Sequence, residues 1–101
     1  MQKHSQEEID NLTNIAGCII AAGIALQKIT TGKRVYITEK LNEALNTLHE
    51  WGYSIKPEDV GYQNPKIPDY MLTENSSGKI AFKLSEGSHS VTQWYHHFTS
   101  Y

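Results

Sequence analysis

The chain is poor in the features that most often announce a function. It has a single cysteine, Cys18, so no disulfide can form within it. Cys18 falls inside an apolar helical pattern, where a free cysteine behaves as a small hydrophobe. Its nine basic residues are scattered, and Lys33-Arg34 is their only adjacent pair. Without a Lys/Arg cluster there is no general attraction to nucleic acid or to an anionic membrane. The longest apolar run, Ile15 to Leu26, is twelve residues, too short to span a bilayer and suited to a buried helix. Met1 to Asn14 is polar and acidic, unlike a signal peptide. These absences lead us to expect a cytoplasmic protein with no membrane partner. There are no internal repeats and no low-complexity tracts. Thr31-Gly32-Lys33-Arg34 ends like a phosphate-binding loop, but it lacks the upstream glycine and the Ser or Thr after the lysine.

What remains is an ordinary globular composition. The chain has 101 residues, 39% of them hydrophobic and 20% charged, with a net charge of −2. This fits one domain with one modest core. Ser5-Gln6-Glu7-Glu8 has the spacing of a capping box and opens a predicted helix from Gln6 to Ile29. Ile9, Leu12, Ile15, Ala16, Ile19, Ile20, Gly23, Ile24 and Leu26 cover about half of that helix. Ala16 and Gly23 are small enough for another backbone to come close. Because the helix is apolar nearly all round, Ala16, Ile19, Ile20 and Gly23 are candidates for a homodimer interface. The alternative is a central helix wrapped by the rest of the fold.

Gly32 is read as the stop of this helix, and Arg34 to Ile37 as a short β-prone segment. Thr38 then caps a second helix, from Glu39 to Trp51, with Leu41, Ala44, Leu45, Leu48 and Trp51 on its apolar face. Trp51 reads as a core anchor, and Gly52 ends the helix. Tyr53 to Ile55 reads as a brief strand. Lys56 to Pro68 is irregular and holds all three prolines; Pro57 to Val60 is expected to form one helical turn. A loop this long is often functional. Asp69 to Thr73 and Lys79 to Leu84 form a predicted hairpin, with Ile80, Phe82 and Leu84 on one buried face and Tyr70 and Leu72 sharing it. Ser90 is expected to cap a last helix carrying Val91, Trp94, Tyr95, Phe98 and Tyr101 as an apolar stripe.

The expected architecture is α+β. A small, mainly antiparallel sheet of three to four short strands, including the 69–84 hairpin, is packed by a long N-terminal helix, a central amphipathic helix and a short C-terminal helix.

Several constellations could carry chemistry, and each is thin. His89, His96 and His97, with Glu86 nearby, could approach a metal, but the i, i+4 histidine pair of helical zinc sites is missing. Cys18 has no nucleophile motif around it, and apolar burial would make it inert. Glu58 with Asp59, or Asp69 with Glu74, could pair as acid and base only in a desolvated cleft. Tyr36, Tyr53, Tyr70 and Phe82 on a sheet, with Lys79 and Lys83, could stack single-stranded bases, though the phosphate attraction would be weak. The expectation is therefore no catalytic residue, no metal and no cofactor, with nucleic acid an unlikely partner. Six tyrosines and two tryptophans favour a protein interface instead, because such side chains bury large area at low entropy cost. The expected contact residues are Tyr62, Gln63 and Asn64 in the long loop, with Tyr95, His96, His97 and Tyr101 at the C-terminal end. The leading expectation is a small non-enzymatic module that docks on a protein partner and blocks it, in the manner of inhibitors, immunity proteins and phage counter-defence proteins. A small-molecule or nucleotide pocket between the hairpin and the last helix is one alternative. A structural homo-oligomer assembled through the first helix is the other.

Overall fold

A 23-residue helix, α1 (Gln6–Lys28), forms the spine of the computed structural model, which describes residues 5–30, 32–57 and 69–100. Four further boundaries are α2 (Lys33–Glu50), β1 (Tyr53–Pro57), β2 (Asp69–Glu74) and β3 (Ile80–Ser85), and α3 (His89–Thr99) ends the order. The α+β architecture is as expected, with an antiparallel sheet in the order β1-β2-β3. The hairpin formed by β2 and β3 is also as expected.

α1 starts where its capping sequence says it should. Ser5 Oγ accepts from the Glu8 backbone N–H at 3.1 Å, and Glu7 and Glu8 sit at the positive end of the helix dipole. The Glu8 carboxylate also accepts from the Tyr53 hydroxyl at 3.3 Å, tying the start of α1 to β1. By length and composition α1 could cross a membrane. Here it is a core helix. Leu12, Ala16, Ile20, Ala21, Ala22 and Ala25 are buried, together with Ile37 and Leu48 of α2 and Val91 and Phe98 of α3. Its small residues let α2 and α3 pack closely on either side of it.

The β-prone reading of Arg34 to Ile37 is corrected: these residues form the first turn of α2. Ile37, Leu41, Ala44 and Leu48 fall at helical spacing, and Ile37, Ala44 and Leu48 are buried. The stripe therefore begins a turn earlier than Thr38, and that turn is held by its neighbours. Gly32 precedes α2 as its N-cap and makes no side-chain cap. Lys33 Nζ donates to the backbone carbonyls of His97 and Ser100 at the end of α3. Arg34 Nη1 donates to the carbonyls of Leu26 and Ile29 at the end of α1. The start of α2 thus caps the C-termini of both other helices. Burial of Ile37 and these four carbonyl contacts outweigh the β preference of Val35, Tyr36 and Ile37.

Two expected core residues lie at the surface. Trp51 is 44% exposed and Leu45 is 40% exposed, because the buried stripe follows Ile37 to Leu48 along a narrower line. Gly52 does end the helix, at φ +90°, a left-handed conformation that glycine adopts without strain.

In the sheet, Ile55 pairs with Leu72 and Leu72 with Phe82, and Tyr70 pairs with Leu84. Leu72 and Leu84 are buried under the helices. Thr73 pairs with Ile80 rather than Ala81. This bulge leaves Ala81 unmatched and breaks the alternation, so Ile80 is 50% exposed instead of sharing the buried face. Pro57 belongs to β1, and the rest of the helical turn expected there lies outside the described residues.

The cap of the last helix stands two residues before Ser90. Ser88 holds the N-cap position, and its hydroxyl is buried without a hydrogen-bond partner. Ser90 instead crosses to α1, where its Oγ donates to the Thr13 carbonyl at 3.3 Å.

Candidate functional site

The three helices border an open cleft lined by Asn14 of α1, Tyr36 and Lys40 of α2, and Gln93, Trp94 and His97 of α3, with a volume of about 400 Å³. Each wall is placed by the packing already described. Trp94 and His97 lie three apart on α3, one turn on the same side. Phe98, buried beneath them, stacks against Trp94 with ring centroids 5.5 Å apart. The Trp94 indole N–H donates to Asn14 Oδ1 at 3.0 Å, fixing the ring against α1. Tyr36 lies opposite. Its hydroxyl and His97 Nε2 are 2.7 Å apart, and the two rings meet edge to face. Tyr36 also packs edge to face on Phe98. The side chains around the cleft thus hold one another.

The cleft runs into a smaller hollow of about 140 Å³ that shares Asn14, Lys40 and Trp94 and reaches Ile15, Cys18, Glu43, Ala44 and Thr47. Cys18 lies at its floor and is buried. Burial pushes its thiol up to about 11, Lys40 acts in the opposite sense, and Glu43 adds to the rise. A thiol held in its protonated form is a poor nucleophile. Lys40 and Glu43 approach to 3.8 Å on adjacent turns of α2, with the Glu43 side chain 70% exposed.

His96 faces a different hollow. It joins Ile24, Tyr95, Thr92, Thr99 and Glu86 around about 260 Å³ between α1, α3 and the turn after β3. Tyr95 is half-buried there, and Lys28 Nζ sits 5.7 Å from its ring centroid. Nearby, the Tyr70 hydroxyl donates to Glu86 at 3.1 Å. Burial and the Glu86 carboxylate raise the Tyr70 phenol above its ordinary value. Burial and Glu8 do the same for Tyr53.

The residues expected to meet a partner are thus divided. Tyr95 and His96 edge the smaller hollow, and His97 lines the main cleft. Tyr62, Gln63, Asn64 and Tyr101 lie outside the described residues. In the expected dimer face, Ala16 and Ile20 are buried within the chain, while Ile19 and Gly23 are partly exposed. The other constellations do not assemble. Asp69 and Glu74 stand at opposite ends of β2, and Glu58 and Asp59 lie outside the described residues. Among the described residues, no group of three or more His, Cys, Asp or Glu is placed to hold a metal ion. The stacking platform is also corrected: Tyr53 is buried, Tyr70 and Phe82 pack on the core, and Tyr36 belongs to a helix.

Tyr36, Lys40, Asn14 and Gln93 were not expected to form a site. Reading 34–37 as a strand removed Tyr36 from the helix surface. The missed signal was the continuation of the Leu41–Ala44–Leu48 stripe back to Ile37, which puts Tyr36 beside that stripe on the same helix. Compared with protein-family models, curated proteins and solved structures, the chain matches none.

Proposed function

We propose that this protein is a non-enzymatic binding module that docks on a protein partner through the cleft between its helices, acting sterically as an inhibitor or adaptor. The observation that carries this reading is the preassembled aromatic wall of Tyr36, Trp94 and His97. Aromatic anchors held rigid before binding lose little entropy on docking. The Cys18 thiol in the adjoining hollow is held protonated by burial, and the Tyr36 hydroxyl is engaged with His97 Nε2. The sequence pointed to Tyr62, Gln63 and Asn64 together with Tyr95, His96, His97 and Tyr101; of these His97 lines the cleft, beside Tyr36 and Trp94. A cytoplasmic setting suits the free Cys18 thiol.

The test is affinity capture from the native host with wild-type protein and with Tyr36→Ala, read by mass spectrometry. One stoichiometric protein retained by the wild type and lost by the folded variant is the expected result. Equal retention by both moves the docking site elsewhere, and no retained protein overturns the reading.

The hollow around His96 and Tyr95 supports a second reading, a small-molecule pocket beside the hairpin and α3. Specific thermal stabilisation by a nucleotide or metabolite, lost on Tyr95→Ala, would favour it. Self-assembly through Ile19 and Gly23 is checked by light scattering at tens of micromolar.

A further inference from the structure

The geometry points to a carboxylate-bearing peptide segment, an acidic side chain next to an aromatic or apolar one, as what the cleft between α1, α2 and α3 receives. This rests on the protein-binding reading and names the chemistry of the partner. Asn14 Oδ1 already accepts the Trp94 indole proton, so the Asn14 side chain has its amide N–H groups left to give. Gln93 adds a second amide. Lys40 brings an ammonium with three donors and no acceptor. Tyr36 and His97 carry two protons between them and share one across their 2.7 Å contact. Whichever tautomer His97 adopts, one proton of the pair remains to be donated. The lining is thus richer in donors than in acceptors, and its one formal charge is positive.

The acid closest to this set is Glu43, 3.8 Å from Lys40. That pair is on the surface, where water screens it and a contact between adjacent turns is weak. A carboxylate entering the cleft meets Lys40 with the amide donors of Asn14 and Gln93 alongside, and so competes for it. Beside the donors stand the rings of Trp94 and Tyr36, which suit a planar or apolar side chain next to the acid. A volume of about 400 Å³ takes a pair of side chains. A peptide sets its acid on the donors and its neighbouring side chain on the rings at once; a free small acid without such a neighbour leaves the rings in water.

The full-length, 15N-labelled protein is titrated with two capped peptides, acetyl-Ala-Glu-Phe-Ala-amide and its Gln-for-Glu twin, and with N-acetylphenylalanine as a free acid. The expected result is that the Glu peptide shifts the Trp94 indole and the Asn14 and Gln93 amide signals. The Gln twin binds about tenfold more weakly, the scale of one charge-assisted hydrogen bond. Lys40→Met, checked for an unchanged fold by its amide spectrum, abolishes the difference between the twins. Equal binding of the twins overturns the carboxylate assignment, as does no binding of either at millimolar concentration. Binding of the free acid alone overturns the peptide assignment in favour of a small molecule. Capture of the partner is a separate readout. A partner retained equally by wild type and Lys40→Met, but lost by Tyr36→Ala, overturns this inference and leaves the docking reading standing.

Discussion

Gly17 of α1 lies so close to Ser90 of α3 that a β-carbon on Gly17 would stand 2.6 Å from the Ser90 hydroxyl oxygen and 2.9 Å from its β-carbon. The two helices cross at this point, and the Ser90 hydroxyl reaches the Thr13 carbonyl one turn away. Sequence reasoning assigned close approach to Ala16 and Gly23, yet a β-carbon on Gly23 would meet nothing within 4 Å. Both glycines lie in the same apolar helix, and only the crossing point distinguishes them.

Gly17→Ala therefore separates two opposing effects. In an exposed helix the change would stabilise by about 1 kcal/mol through helix propensity. At this crossing it forces α3 away or strains it, at a cost of about 1–3 kcal/mol. We expect net destabilisation by urea unfolding, and recovery of part of it when Ser90→Gly is added. Gly23→Ala should be neutral or stabilising. A stabilised Gly17→Ala protein would mean that the helices are free to move apart.

Lys33 and Arg34 give a second test in which sign decides. Both stand in the first turn of α2, where the helix dipole disfavours cations, and that turn has no acidic residue. Considered alone, α2 should gain from losing them. Yet they reach the carbonyl ends of α3 and α1. We expect Lys33→Gln and Arg34→Gln each to destabilise by roughly 1 kcal/mol, the scale of an ordinary intramolecular hydrogen bond, because water screens these exposed contacts. A gain in stability would show that the dipole of α2 outweighs the two caps.

How much of the fold was legible depended on whether the deciding interaction was local. The start of α1, the hairpin and the stop at Gly52 are set by residues within a few positions of one another, and each could be read from the sequence. The first turn of α2 was misread because part of its support comes from His97 and Ser100, at the far end of the chain, and the rest from carbonyls at the end of the preceding helix, Leu26 and Ile29. Ile80 was misplaced because a one-residue bulge inverts the alternation on which the reading relied. The cleft was legible only in part: His97 was singled out for its position on α3, whereas Tyr36 and Lys40 enter the site through the tertiary packing of α2.

The same distinction predicts opposite behaviour for two aromatic residues that the sequence placed together in the core. Phe98 is fully buried under Trp94 and Tyr36. Its replacement by alanine should cost about 3–5 kcal/mol. Trp51, nearly half exposed, should cost less than about 1 kcal/mol on the same change. Chemical denaturation followed by far-ultraviolet circular dichroism compares the two without relying on tryptophan fluorescence. A large loss at Trp51 would show that it anchors the core after all.

Cys18 should add to the loss of stability at alkaline pH. Its thiol is raised from 9.0 to about 11, first by burial, so the folded chain keeps a proton that the unfolded chain releases. Above pH 9 the native state therefore binds more protons than the unfolded state, and stability must fall as pH rises. The contribution is complete below pH 9 and is lost as pH climbs through 11. Tyr53 and Tyr70, also raised above 10.0 chiefly by burial, add to the fall in the same direction at higher pH. Cys18→Ala should flatten the decline between pH 9 and 10 while leaving the tyrosine-dependent part above it. Urea midpoints measured at half-unit steps from pH 8 to about 10.5 resolve the two. In the same buffers the native thiol should react slowly with a disulfide-exchange reagent and the urea-unfolded thiol rapidly, because only the latter is both accessible and ionised. An unchanged alkaline slope in Cys18→Ala, with fast labelling of the native protein, would show that the hollow beside Lys40 and Glu43 is open to water and that the thiol is not desolvated.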